Sequence, residues 1–153
     1  YNTQGQIVHA KIPFRYRSAF IQKGFYNGYF LPFIQQESTF WRRSLMQYID
    51  FSQLRQFKLT GDYYLWKCFS QHAELEIVSC ILSGFRKRQG QLSEELSAYR
   101  RELKHFCPKA PNWIEKIEIL FDRIQGGFPT YFNRDMICFD FQKESWGRRG
   151  KSS

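Results

Sequence analysis

Apolar positions along the chain recur at helical spacing in three places, separated by aromatic-rich and alternating stretches. Tyr63, Trp66 and Phe69 stand three apart with Leu65 alongside, which predicts a short helix starting at Gly61-Asp62, its apolar face packed against a sheet. Leu96, Tyr99, Leu103 and Phe106 keep helical spacing. Ser93 is placed to cap that helix, Glu94 and Glu95 sit in its first turn, and Pro108 and Pro111 end it. The next helix has Pro111 near its first position and carries Trp113, Ile114, Ile117, Leu120, Phe121 and Ile124 on one stripe, with Gly126-Gly127 ending it. Both stripes read as core or partner-helix contacts. The pattern leaves open whether the second packs on the domain, on another subunit or on a membrane.

Between these helices the pattern is shorter-ranged. Residues 5–11 read as a strand after a glycine turn, and His9 within it reads as a structural or solvent-facing histidine more readily than as a metal ligand. Residues 12–33 are aromatic, basic and dotted with Gly24 and Gly28, which predicts an irregular connection or broken helix. Its rings (Phe14, Tyr16, Phe20, Phe25, Tyr26, Tyr29, Phe30) either pack onto a sheet or, interleaved with Arg15, Arg17 and Lys23, stack nucleobases and neutralise phosphates. A helix of about two turns is expected to end near Ile49. Residues 75–85 read as a β-type run with Glu76 its only charged interruption, followed by Arg86-Lys87-Arg88 in a turn. A short strand is expected at 136–141, and the basic tail 147–153 reads as disordered or membrane-skimming.

Composition narrows the class. The chain has 153 residues, enough for one domain with a real core, and 19% aromatic content argues against disorder. A net charge of +9 suits phosphate-bearing ligands, nucleic acid or an anionic membrane surface without choosing among them. Cys68, Cys80, Cys107 and Cys138 lie far apart with no CxxC pair, which speaks against zinc and for a reduced, cytosolic setting. No stretch approaches the roughly 18 apolar residues of a membrane span.

The candidate chemistry centres on Asp62. At a helix N-terminus, free backbone N–H groups hold a carboxylate and favour its ionised form, and Gly61 removes bulk as a close ligand would require. The simpler reading is a helix cap alone. Gln35, Gln36 and Glu37 suit a hydroxylated ligand, because each gives or takes directed hydrogen bonds. Arg42 and Arg43 either reach phosphates or solvate their helix.

Three stretches taken together carry a resemblance: Gln-Glu-Ser-Thr-Phe-Trp-Arg-Arg-Ser-Leu at 36–45, Gly-Asp-Tyr-Tyr-Leu-Trp at 61–66 and Gly-Phe-Arg-Lys-Arg-Gln-Gly-Gln-Leu-Ser at 84–93. In this order and spacing, over about residues 5–105, the chain resembles the C-terminal half of a family 2 glycosyltransferase catalytic domain. The resemblance implies an α/β fold: a partial GT-A, nucleotide-diphosphosugar transferase-like domain, with a mixed sheet remnant flanked by helices and followed by C-terminal helices. Its bounds would be 1–106 for the transferase portion, 107–146 for a helical extension with a short strand, and 147–153 for the tail. It implies an inverting transfer from a nucleotide-diphosphate sugar to a glycan or lipid-linked acceptor, in cell-surface polysaccharide synthesis. Asp62 would be the general base. Gln36, Glu37, Ser38, Trp41, Arg42 and Trp66 would line the acceptor side, and Arg86, Arg88 and Gln91 the diphosphate side.

Two departures qualify the resemblance. Arg88 stands where relatives often carry a histidine, which puts a metal-ligand or histidine role there in doubt. No DxD occurs in the chain, so the ligands for the family's divalent ion (Mg or Mn) are expected before residue 1. The chain alone is then expected to lack transferase activity, and its cut sheet to be poorly stable. The expected setting is cytoplasmic, peripheral at the inner face of the membrane. The rival from another class is a basic, non-enzymatic module binding single-stranded nucleic acid through residues 14–29. A DxD in the upstream coding sequence would favour the enzyme.

Overall fold

The computed structural model describes residues 4, 6–7, 13, 15–84, 95–107, 109–128 and 136–149. In chain order these residues form α1 (Ser18–Gln22), a 3₁₀ turn at Gln36–Ser38, a 3₁₀ helix at Arg43–Tyr48, α2 (Phe51–Leu54), α3 (Gly61–Phe69), α4 (Leu96–Phe106), α5 (Trp113–Gly126), β1 (Ile137–Asp140) and β2 (Ser145–Arg148). Helices together with a small two-stranded antiparallel sheet make the molecule mixed α and β in the coarse sense.

The core forms around α3. Tyr63, Tyr64, Trp66 and Phe69 are buried, as the three-residue recurrence requires. They meet α1, α2, the Arg43–Tyr48 helix and Phe106 of α4, where a sheet had been expected. The rings of the irregular stretch supply the rest: Phe20, Phe25 and Tyr26 are buried in this helical core. Of that stretch's described aromatics only Tyr29 is exposed. Buried polar ends find partners: the Tyr63 hydroxyl donates to the Ile21 carbonyl at 3.0 Å, and the Arg17 N–H donates to the Tyr26 hydroxyl at 2.9 Å. Gly24 and Gly28 hold φ of +81° and +74°, the left-handed geometry that breaks the chain after α1.

The sheet is slight. β1 and β2 pair antiparallel with Phe139 opposite Trp146. The β-type run after α3 joins them through a single parallel bridge, Val78 to Ile137, so its described part is extended chain rather than a strand. Ile77 is buried there, but Ile81 and Leu82 are exposed. The expected strand at 136–141 appears as β1. The tail expected to be disordered from Gly147 instead enters β2 with Gly147 and Arg148, and the Arg149 N–H donates to the Met136 carbonyl at 2.9 Å. Residues 150–153, the strand expected at 5–11 (apart from residues 6 and 7) and the cap at Ser93 lie outside the described residues.

α5 begins at a capping box: the Glu115 N–H donates to Asn112 Oδ1 at 2.9 Å, and the Asn112 N–H donates to Glu115 Oε2 at 2.8 Å. Its buried residues are Glu115, Ile119 and Asp122, and its apolar stripe faces away from the body. No helix of the described residues is long and apolar enough to cross a membrane.

Candidate functional site

The turn before α3 is held from a distance. Glu102, on α4, accepts from the backbone N–H groups of Lys58 (2.8 Å) and Leu59 (3.2 Å) and from the Thr60 hydroxyl (3.1 Å). Thr60, the residue at the N-cap position, is fully buried and makes no side-chain cap of its own. One carboxylate from another helix therefore satisfies the donors of the turn that leads into α3. An open cleft beside this contact is lined by Lys58, Leu59, Glu95, Ala98, Arg101 and Glu102, and Asp62 is not part of it.

Asp62 follows inside the first turn, so it is not the cap residue. Its Oδ1 accepts from the Tyr63 N–H at 2.7 Å. Burial raises its pKa, its hydrogen bonds to the backbone N–H groups of Tyr63 and Asp62 itself pull the other way, and the negative charge of Glu37 adds to the rise. The net direction is upward. The expectation that the helix N-terminus would favour the ionised form is thus reversed: the half-buried setting outweighs the N–H groups. Glu37 lies on the Gln36–Ser38 turn, and Tyr99 lies on α4, its own pKa raised by burial first and by the Asp62 charge second. Sequence reasoning placed Tyr99 only as an apolar helix position and missed Glu102. Their spacing of three on α4 puts both on one helical face, which is the signal that was there to read.

A Cβ at Gly61 would meet Leu54 Cδ1 at 3.5 Å, an ordinary contact. Trp66, four residues after Asp62 and on the same side of α3, is buried, and its Nε1 has no hydrogen-bond partner among the described residues. Trp41 covers it with ring centroids 5.6 Å apart at 72° and also meets Phe69. Of the tryptophan pair, only Trp41 is exposed. Arg42 and Arg43 are exposed at the start of their 3₁₀ helix. Ser38 and Ser83 share a hydrogen bond of 2.8 Å between their hydroxyls, so the end of the described run at 75–84 lies beside the Gln36–Ser38 turn. Arg86, Arg88 and Gln91 themselves lie outside the described residues, as does His9.

Asp62 therefore feels the charge of Glu37, Tyr99 feels that of Asp62, and Trp41 lies over Trp66 one helical turn further along α3. Among the described residues, no group of three His, Cys, Asp or Glu side chains could hold a metal ion. Chemically, this is a carboxylate with its proton affinity raised, within electrostatic reach of a second carboxylate and a phenol. It can accept a proton closer to neutral pH than an ordinary aspartate can. No protein-family model matches the chain, and no curated protein or solved structure matches it.

Proposed function

We propose that the chain is the C-terminal part of a GT-A, family 2 glycosyltransferase catalytic domain. It would serve inverting transfer from a nucleotide-diphosphate sugar to a glycan or lipid-linked acceptor in surface polysaccharide synthesis, at the cytoplasmic face of the membrane. The observation that carries this reading is the environment of Asp62: a half-buried carboxylate at the start of α3 whose pKa is raised by burial and by Glu37. Displacement at an anomeric carbon needs a group that removes the acceptor hydroxyl's proton as its oxygen bonds to that carbon and the bond to the diphosphate breaks. A carboxylate with raised proton affinity suits that role better than one held fully ionised. Gln36, Glu37, Ser38, Trp41 and Arg42 sit on the stretch assigned to the acceptor, with Trp66 as the buried floor beneath Trp41. Arg86, Arg88 and Gln91 are assigned to the leaving diphosphate, where cations stabilise developing charge. The divalent ion has no fitting donor set among the described residues and is assigned to a DxD in sequence outside these 153 residues.

The test is Asp62→Asn in the complete protein. Loss of the base should lower kcat by about a hundredfold to ten-thousandfold while donor affinity stays unchanged. In the unsubstituted enzyme, kcat/KM should fall on the acid side at a pH above the ordinary aspartate value of about 3.9, since burial moves the Asp62 pKa upward. Normal turnover by Asp62→Asn would remove Asp62 as base.

A further inference from the structure

We propose that α5 is an in-plane anchor whose outward face binds an anionic lipid surface. This deepens the membrane-face setting given above by naming the surface that makes the contact, but it rests on the geometry of α5 and not on the transferase chemistry.

The helix is docked by its polar side. Asp122 is 3% exposed and accepts from Arg17 Nη2 at 2.8 Å, Glu118 accepts from Arg17 Nη1 at 3.1 Å, and Glu115 is paired with Lys23. All the acidic side chains of α5 are thereby engaged with cations of the α1 region. Trp113 (71% exposed), Ile114, Ile117, Leu120, Phe121 and Ile124 point outward. At about 100° per residue these six span an arc of roughly 120°, centred almost opposite Glu115 and Asp122. The other exposed helical positions are Lys116 and Arg123, both cationic and both on one flank of the stripe.

An outward face made of large apolar side chains bordered by cations, with every acid of the helix paired to a cation, matches a helix lying at the boundary between acyl chains and headgroups. The rings and branched chains would enter the apolar boundary, Lys116 and Arg123 would lie at lipid phosphates, and the +9 net charge adds attraction to an anionic leaflet. A second copy fits less well. Antiparallel packing of two stripes about a twofold axis sets Lys116 and Arg123 against the same residues of the other copy. Parallel packing offers them Glu118, which Arg17 already holds.

The test is co-sedimentation of the full chain with vesicles of equimolar phosphatidylglycerol and phosphatidylcholine, against vesicles of phosphatidylcholine alone. Binding is expected to the first and to be much weaker to the second. Phe121→Ser should weaken it about tenfold or more, because a large apolar group no longer leaves water. Lys116→Glu with Arg123→Glu should weaken binding to the anionic vesicles only. All three positions are exposed, so circular dichroism should show each variant folded. Absence of binding to anionic vesicles overturns the proposal. So does binding that Phe121→Ser leaves unchanged, which would mark charge alone as the cause. A concentration-dependent dimer that Phe121→Ser dissociates, without vesicle binding, would assign the face to a second copy. No sugar donor enters the assay, so its result stands apart from the fate of the transferase reading.

Discussion

At the scale of the residue, an aspartate in the first turn of a helix has two opposed influences on its proton, and burial wins at Asp62. A carboxyl whose folded pKa lies above its unfolded value contributes stability below the unfolded value and loses it as pH rises through the folded one. At neutral pH the ionised Asp62 therefore works against the fold, and Asp62→Asn should not lower the midpoint of unfolding there even where it removes activity. The neighbouring glycine teaches a related point. Gly61 has only an ordinary contact waiting for a Cβ, whereas a Cβ at Gly24 would lie 2.6 Å from Cys107 Cβ in a left-handed backbone. Gly61→Ala should therefore leave stability within about 1 kcal/mol of the parent, with any change favourable. Gly24→Ala should cost about 1–3 kcal/mol from the backbone alone, with the close approach adding to it. Urea unfolding of the two variants decides this, and equal midpoints would show that the end of α1 can move away from α4. The position of Asp62 was legible from the Gly-Asp pair ahead of a three-residue recurrence. Its environment was not, because Glu37 and Tyr99 reach it from distant parts of the chain.

At the scale of the element, α3 is stabilised at its start by a group outside itself. Thr60 occupies the cap position but turns its hydroxyl to Glu102, and the same carboxylate takes the N–H groups of Lys58 and Leu59. Leaving a partly buried donor without its acceptor costs about 1–3 kcal/mol. Glu102→Ala should fall in the upper half of that range, because several donors lose their acceptor together. Glu102→Gln should cost less, since its amide oxygen can still accept. If Glu102→Ala unfolds at the parent's urea concentration, the start of α3 is held by something else. The hydrophobic period made α3, α4 and α5 readable, and Asn112 with Glu115 marks the start of α5 in the sequence itself. The β-type run after α3 was over-read. Apolar, branched residues fit a strand only when neighbouring strands meet them, and among the described residues that run has a single bridge.

At the scale of the whole molecule, the stripe on α5 was correctly located and yet gave no direction. A periodic apolar face says that a helix is two-sided, not which side meets the body, and here the decision falls to charge. Arg17 joins Glu118 and Asp122 across more than a hundred residues of sequence, a pairing no local pattern encodes. Its two halves differ in worth. The Glu118 side chain is 41% exposed, so water and salt screen it, and such pairs contribute about 0–1 kcal/mol. The Asp122 side chain is 2% exposed, and replacing it leaves the Arg17 guanidinium beside a buried group without charge. Breaking a buried pair from one side costs about 3–5 kcal/mol. Arg17 keeps about a quarter of its side chain in water, so about 2 kcal/mol is the fitting expectation after screening. Asp122→Asn should therefore lower stability several times more than Glu118→Gln. Sodium chloride should narrow the margin between parent and Glu118→Gln while leaving most of the Asp122→Asn loss in place, because screening acts on exposed charge. Comparable losses from the two substitutions, both erased by salt, would mean that α5 is held to the body by diffuse attraction. Asp122 would then lose its place as the anchor that turns the apolar stripe outward.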